Sequence, residues 1–152
     1  MYICDPEPLE EFINGIVTGL GAEGEIANEV AQHLVRANLS GHDSHGVLRI
    51  SQYAAQVDSG ELVPNAQPIV MRESPVTALI DAQRGFGHYS TAYALNWAME
   101  HAHEHGIAAA AVRHSSHIGR VGEYTERAAQ SGLIAIITVG SAGRGVGGLV
   151  PF

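Results

Sequence analysis

The segment from Ser44 to Arg49 places a histidine, His45, and an arginine four residues apart. Residues at i and i+4 share one face of a helix, so the side chains of His45 and Arg49 are expected to point the same way. A histidine can exchange a proton near neutral pH, and an arginine can hold a carboxylate through two parallel hydrogen bonds. The pair therefore suits a small 2-oxo or 2-hydroxy acid. The alternative is a surface helix whose two polar side chains are simply solvated.

A second polar cluster, from Arg113 to Tyr124, follows a predicted strand and precedes a predicted helix. At the amino end of a helix, the backbone N–H groups and the helix dipole favour anions. Ser116 and His117 are short, polar and placed to contact such a ligand. The alternative is a loop histidine that makes only local hydrogen bonds.

Two glycine-rich stretches could approach a nucleotide. The run Gly85-Phe86-Gly87 precedes a helix, but Ser90 stands where the dinucleotide fingerprint needs its third glycine, so a simple turn is expected. The loop over residues 140–152 follows a predicted buried strand, which is where an α/β protein usually places a ligand. Residues 149–151 do not start a helix, so this loop does not fit a nucleotide-binding Rossmann loop.

Three histidines, His101, His103 and His105, lie near the end of a predicted helix. Only His101 and His105 would share a face, and charged histidines at a helix C-terminus gain about 0.3–1 kcal/mol each from the dipole. We therefore expect solvated side chains and no metal site. The chain also lacks the common hydrolase, zinc-protease, phosphate-loop and paired-cysteine motifs.

The first 60 residues are predicted to be helical. A first helix begins at Asp5 and Pro6, a second spans about 25–39, and a third contains His45 and ends at Gly60. Each carries apolar residues at helical spacing, which predicts a packed helical segment over residues 1–60.

After Gly60 the pattern changes to alternating strands and helices. Strands are predicted at 67–71 and 77–81, buried strands at 107–112 and 133–139, and helices at 89–105 and 121–130. This alternation predicts an α/β protein with a parallel or mixed sheet and helices packed on it. Two helices cannot cover both faces of such a sheet, so an open edge and an uncovered apolar face are expected.

The overall composition excludes several partners. The 152 residues carry a formal charge of -8 without a Lys/Arg cluster, which argues against nucleic acid or an anionic membrane as partner. No apolar run approaches the roughly 20 residues that span a bilayer, and the N-terminus has no signal-peptide pattern. The single cysteine, Cys4, cannot form an internal disulfide, which favours a cytoplasmic protein.

Taken together, these segments resemble the malate/L-lactate dehydrogenase family, which is unrelated to the common Rossmann lactate dehydrogenases. The family also contains ureidoglycolate, sulfolactate and diketogulonate reductases. The resemblance runs along essentially the whole chain and rests on Ser44-His45-Gly46-Val47 with Arg49, Gln52 and Tyr53, on Ser115-Ser116-His117-Ile118-Gly119 with Gly122 and Tyr124, on Ala128-Ala129 before Gly132, and on Val150-Pro151-Phe152.

The resemblance implies an oxidoreductase that moves a hydride between NAD or NADP and the C2 carbon of a small 2-hydroxy or 2-oxo acid, such as malate or lactate. It implies a non-Rossmann α/β fold with N-terminal helices followed by a mixed sheet, and a homodimer in the full-length form. Family members are longer, so residues 61–152 are expected to be a truncated part of the nucleotide-binding domain. The alternative is a truncated, non-catalytic chain that only binds a small anion or a partner subunit.

The resemblance also assigns site residues. His45 corresponds to the proton donor, Ser44 helps to orient its ring, and Arg49 faces the substrate carboxylate. His117 corresponds to a second active-site histidine, which takes the acid/base role in some members. Cofactor contacts are expected at Ser116, Gly119, Arg120 and Ser141.

Overall fold

The computed structural model describes residues 4–140, which form five α-helices and a three-stranded sheet. The elements are α1 (Pro6–Gly19), α2 (Gly24–Leu39), two 3₁₀ turns (Asp43–His45 and Val47–Arg49), α3 (Ile50–Asp58), β1 (Ile69–Glu73), β2 (Thr77–Asp81), α4 (Gly87–His105), β3 (Ala109–Arg113) and α5 (Val121–Gln130). The predicted α/β fold class, with helices first and a mixed sheet after them, is confirmed.

The helical segment is held by the apolar faces of α1 and α2. Ile13 and Val17 of α1 are buried against α2, whose apolar residues recur at helical spacing. Leu62 and Phe86 belong to the same core, so the helices pack directly on the part of the chain that follows residue 60. Tyr53 of α3 completes this core and is fully buried.

The sheet has the strand order β1-β2-β3. β1 and β2 are antiparallel, whereas β2 and β3 are parallel, so the predicted mixed sheet is confirmed. α4 covers one face through Ala94, which packs against Ala78 and Ile80 of β2. On β1, Ile69 and Met71 are each 48% exposed, so the sheet keeps exposed apolar side chains.

The prediction that residues 107–112 form a strand buried on both faces is wrong. β3 begins at Ala109, its side chains alternate between exposed and half-buried, and Ile107 is 72% exposed before the strand starts. The reason is that α4 covers one face of the sheet, so alternate residues of β3 meet it and the others face outward.

The predicted buried strand at 133–139 is also wrong, because these residues pair with no strand within residues 4–140. Leu133, Ala135 and Ile137 instead pack on side chains of α4 and α5. Ile134 and Ile136 point away and are 99% and 89% exposed. An apolar run of this length does not by itself show whether its residues pair in a sheet or pack against helices.

The continuous helix predicted through His45 is interrupted at Gly46. Gly46 has an extended backbone (φ -91°, ψ -156°) between the two 3₁₀ turns, and a Cβ there would collide with the side chain of Asn38. Asn38 accepts a 2.9 Å hydrogen bond from the N–H of Val47 and donates to the Asp43 carboxylate. This anchor to α2 replaces helical bonds, so the α-helix begins only at Ile50.

The longest helix, α4, runs for 19 residues and carries charged and histidine side chains. Within residues 4–140, no helix combines the length and the apolar character needed to cross a membrane.

Candidate active site

The two predicted histidine motifs come together. His45, in the first 3₁₀ turn, and His117, in the loop after β3, have ring centroids 5.3 Å apart and ring planes inclined at 32°. Ser44 Oγ lies 2.9 Å from Nδ1 of His45. The Arg49 guanidinium donates through Nε to the backbone oxygen of Ser44 and through Nη1 to Gln52 Oε1 at 2.7 Å. Although the helix is broken, the fold keeps the histidine and the arginine in one site.

The loop that carries His117 is seated on the start of α4. The N–H of Gly87 donates to Ser116 Oγ at 2.9 Å. A Cβ at Gly87 would collide with the carbonyl groups of Ser116 and His117, so a glycine is required for this close approach. The Gly85 carbonyl accepts the N–H of Ser116, so both glycines support the second histidine motif directly.

A second anchor lies at Gly119, which adopts a left-handed backbone with φ of +75°. A Cβ there would collide with Nε2 of His33, and the next residue, Arg120, donates its backbone N–H to that nitrogen at 2.8 Å. The neutral His33 ring therefore carries its proton on Nδ1, and the loop is held against α2.

Three residues of the site were missed in the sequence: Tyr53, His88 and His33. Tyr53 is fully buried, and its hydroxyl lies 2.9 Å from Nδ1 of His117 and 3.3 Å from Nε2 of His88. The available signal was the spacing of four residues between Arg49 and Tyr53, which places both side chains on one helical face. No local pattern pointed to His88 or His33, because their partners lie far away in the sequence.

Burial and positive neighbours disfavour the protonated form of the site histidines. Burial lowers the pKa of His117 to about 4, helped by the charges of Arg49 and His45. The pKa of His45 is lowered for the same two kinds of reason, with burial first and Arg49 second. Burial lowers the pKa of His33 to about 3 and that of His88 well below its usual range.

The predicted cofactor contacts at Ser116 and Arg120 already have internal partners. The Arg120 guanidinium donates to both carboxylate oxygens of Glu126, at 2.9 and 2.8 Å. Nearby, Glu123 is buried with its carboxylate 2.9 Å from the Arg36 guanidinium, and burial raises the Glu123 pKa. Ser141 lies outside the described residues, as does the glycine-rich run that follows it.

The prediction that the histidines at the end of α4 are solvated holds for the exposed His103 and His105 but is wrong for the half-buried His101. Nδ1 of His101 lies 2.9 Å from the Pro75 carbonyl, and its ring stacks on Trp97 with centroids 3.9 Å apart. In the part of the chain that the structure describes, no group of three His, Cys, Asp or Glu side chains is arranged to hold a metal ion.

Comparison with known proteins gives a consistent set of relatives. Residues 4–146 match the family described as malate/L-lactate dehydrogenase. The chain is 37% identical over 139 residues to hydroxycarboxylate dehydrogenase B of Escherichia coli (strain K12), covering 91% of this chain and 38% of that protein. It is 38% identical over 136 residues to malate dehydrogenase of Pyrococcus abyssi, covering 89% of this chain and 38% of that protein.

The fold is shared with solved structures. The crystal structure of malate dehydrogenase from Entamoeba histolytica superimposes with a TM-score of 0.83 at 32% identity, over 86% of this chain and 37% of that one. The chain thus spans about 38% of the length of the curated relatives it matches.

Proposed function

The chain belongs to the malate/L-lactate dehydrogenase family, and we propose that it forms the substrate side of an NAD(P)-dependent dehydrogenase of small 2-hydroxy or 2-oxo acids, such as malate or lactate. The observation that carries the proposal is the meeting of His45, His117 and Arg49 in one half-buried site. The names of the relatives, hydroxycarboxylate and malate dehydrogenase, support the substrate class.

In this proposal Arg49 holds the substrate carboxylate. Its Nε and Nη1 groups are fixed by the Ser44 carbonyl and the Gln52 side chain, and Nη2 has no hydrogen-bond partner within residues 4–140. A guanidinium held in one orientation binds a carboxylate with less loss of side-chain entropy than a mobile one. Arg49 also supplies the positive charge that a small anionic acid needs in a half-buried site.

His45 is proposed to transfer the proton. Reducing a 2-oxo acid builds negative charge on the C2 oxygen, and a proton donor within about 3 Å of that oxygen neutralises it. Ser44 Oγ binds Nδ1 of His45, so Nε2 is the ring nitrogen available to the substrate. In the oxidation direction the same nitrogen takes the proton from the substrate hydroxyl.

NAD or NADP, when bound, supplies or accepts the hydride. The chain's proposed contacts to it are Ser116, Gly119, Arg120 and Ser141. Ser116 already binds the N–H of Gly87, and Arg120 would have to release Glu126 to bind a phosphate. The full-length form is proposed to be a cytoplasmic homodimer.

The test is a titration of the 152-residue chain with malate and lactate, with acetate as the control acid. The NMR signals of the His45 and His117 imidazoles are expected to shift with the 2-hydroxy acids and much less with acetate. Arg49→Ala is expected to abolish the shifts, whereas Arg72→Ala, on β1, is expected to keep them. Equal responses to all three acids would contradict the proposal. A fluorescence titration with NADH then separates a dehydrogenase part from a chain that binds only small anions.

A further inference from the structure

We infer that Tyr53 and His88 are positioning residues that hold His117 in the tautomer with its proton on Nε2, so that His117 acts as a neutral hydrogen-bond donor and His45 alone changes protonation. The catalytic meaning of this arrangement rests on the proposed function. The tautomer does not, because it follows from hydrogen bonds inside the chain.

The argument starts at His88, which is fully buried. Its Nδ1 has no hydrogen-bond partner among the described residues, whereas its Nε2 lies 3.3 Å from the Tyr53 hydroxyl oxygen. A buried N–H without an acceptor is more costly than a nitrogen lone pair without a donor. His33 carries such an N–H at Nδ1 because its Nε2 must accept the backbone N–H of Arg120, whereas no backbone donor among the described residues faces Nε2 of His88. The proton of the neutral His88 ring therefore sits on Nε2 and is donated to the Tyr53 oxygen.

Tyr53 links His88 to His117, because its hydroxyl lies between the two rings. A phenol has one proton, and burial raises the pKa of Tyr53, so the hydroxyl stays protonated. Its oxygen accepts from His88, so its own O–H is free to donate to Nδ1 of His117, 2.9 Å away. A neutral imidazole that accepts at Nδ1 carries its proton on Nε2.

The groups around His117 oppose a second proton on its ring. The His88 Nε2–H donates to Tyr53, and the Tyr53 O–H donates to Nδ1 of His117. A proton on that Nδ1 would therefore face another hydrogen-bond donor. Burial disfavours the imidazolium form of His117, and the positive charge of Arg49 on the other side disfavours it further, so both lower the His117 pKa. The neutral form is therefore favoured at neutral pH.

The consequence is a division of roles. A neutral imidazole is a weak acid, but its Nε2–H can donate a hydrogen bond to an oxygen on which negative charge develops. The His45 imidazole has only the Ser44 hydroxyl as a hydrogen-bond partner within residues 4–140 and remains the ring suited to gain and lose a proton. The structure thus separates the two histidines whose roles the sequence leaves open.

The experiment uses the 152-residue chain with ¹⁵N-labelled histidine and a long-range ¹H–¹⁵N correlation spectrum at neutral pH. His117→Asn identifies the His117 signals by their loss. The wild-type spectrum is expected to show a protonated Nε2 and an unprotonated Nδ1 at His117. In Tyr53→Phe the single-tautomer pattern is expected to be lost and the His117 pKa to rise, because the bond that stabilises the neutral ring is gone.

Matched variants separate this effect from a general loosening of the loop. Tyr124→Phe removes another buried hydroxyl, which donates to the Ile118 carbonyl beside His117, and should leave the His117 tautomer unchanged. His88→Gln keeps an N–H donor near Tyr53 and should preserve the pattern, whereas His88→Met should weaken it.

Three results would overturn the inference: a wild-type His117 protonated on Nδ1, a Tyr53→Phe spectrum identical to wild type, or an equal change in Tyr124→Phe. None of these results depends on binding of the acid. If His117 shows the single tautomer but the histidine signals do not shift with malate or lactate, the proposed function is refuted. The tautomer assignment then remains valid.

Discussion

The imidazole rings of His45 and His117 lie with centroids 5.3 Å apart, although one belongs to a turn before α3 and the other to the loop after β3. Burial lowers the pKa of both rings, and the nearby Arg49 guanidinium lowers both further. Two cationic imidazoles beside an arginine would repel each other strongly, so the two rings are not both protonated in the free site. This relationship underlies the first two predictions, which concern an active form of family length.

His45→Ala is expected to lower kcat by about 10²–10⁴-fold, the usual cost of losing a general acid. Cofactor affinity is expected to change little, because the substitution removes a group that faces the acid substrate. Steady-state kinetics and a fluorescence titration with NADH measure the two effects separately. Near-normal turnover would move the acid role to His117.

Arg49→Lys is expected to raise the KM for the acid substrate, because lysine keeps the charge but loses the planar fork that binds both carboxylate oxygens. Arg72→Lys, on the exposed strand β1, is the matched control and should leave KM unchanged. If both Arg49→Lys and Arg49→Ala behave like the parent enzyme, Arg49 does not hold the carboxylate.

The buried histidines predict that acid destabilises the fold. His33 has a folded pKa of about 3 and an ordinary value of 6.5, so it binds a proton in the unfolded chain before it does so in the folded one. Its contribution is complete above pH 6.5 and is lost as the pH falls towards 3, at about 1.4 kcal/mol per pH unit. His88 and His117 act in the same direction.

Urea unfolding of the chain between about pH 7 and pH 5 measures this dependence. His33→Gln should flatten the slope, whereas His103→Gln, at an exposed position of α4, should not. A free energy of unfolding that rises on acidification would show that these rings are protonated in the folded state.

Two left-handed glycines allow the loop anchor to be tested. Gly132→Ala should lower the free energy of unfolding by about 1–2 kcal/mol, because an alanine is strained at its φ of +76°. Nothing lies near the new Cβ, so no collision adds to this strain. Gly119→Ala, at φ +75°, adds a collision with His33, which should cost about 1–3 kcal/mol more. Equal losses of unfolding free energy would mean that the loop can move away from His33 at little cost.

The 152-residue chain by itself is expected to show no dehydrogenase activity and to self-associate. Ile134 and Ile136 are 99% and 89% exposed, and Ile107 is 72% exposed. Apolar surface of this kind favours association in water. Sedimentation of the chain, compared with an Ile134→Ser/Ile136→Ser variant, measures the effect. A monomer that unfolds cooperatively and oxidises malate with NAD would contradict this expectation.

Much of the fold could be predicted from local sequence patterns. The bounds of β2 and α5 agree with the predicted ranges 77–81 and 121–130, and α2 and α4 begin within two residues of prediction. These elements carry apolar residues at a clear period and end at turn-forming residues, so neighbouring residues alone specify them. The family resemblance likewise required only short motifs in their order along the chain, above all the two that contain His45 and His117.

Tertiary contacts decided the remainder. Asn38 on α2 interrupts the expected helix at Gly46, and the residues at 133–139 pack on helices where a strand was expected. The site itself depends on Tyr53, which meets His117 and His88 only after α3, the loop after β3 and the start of α4 have packed together. Periodicity describes which face of an element is apolar, but a hydrogen bond between distant residues depends on how those elements dock, and only the folded chain determines that.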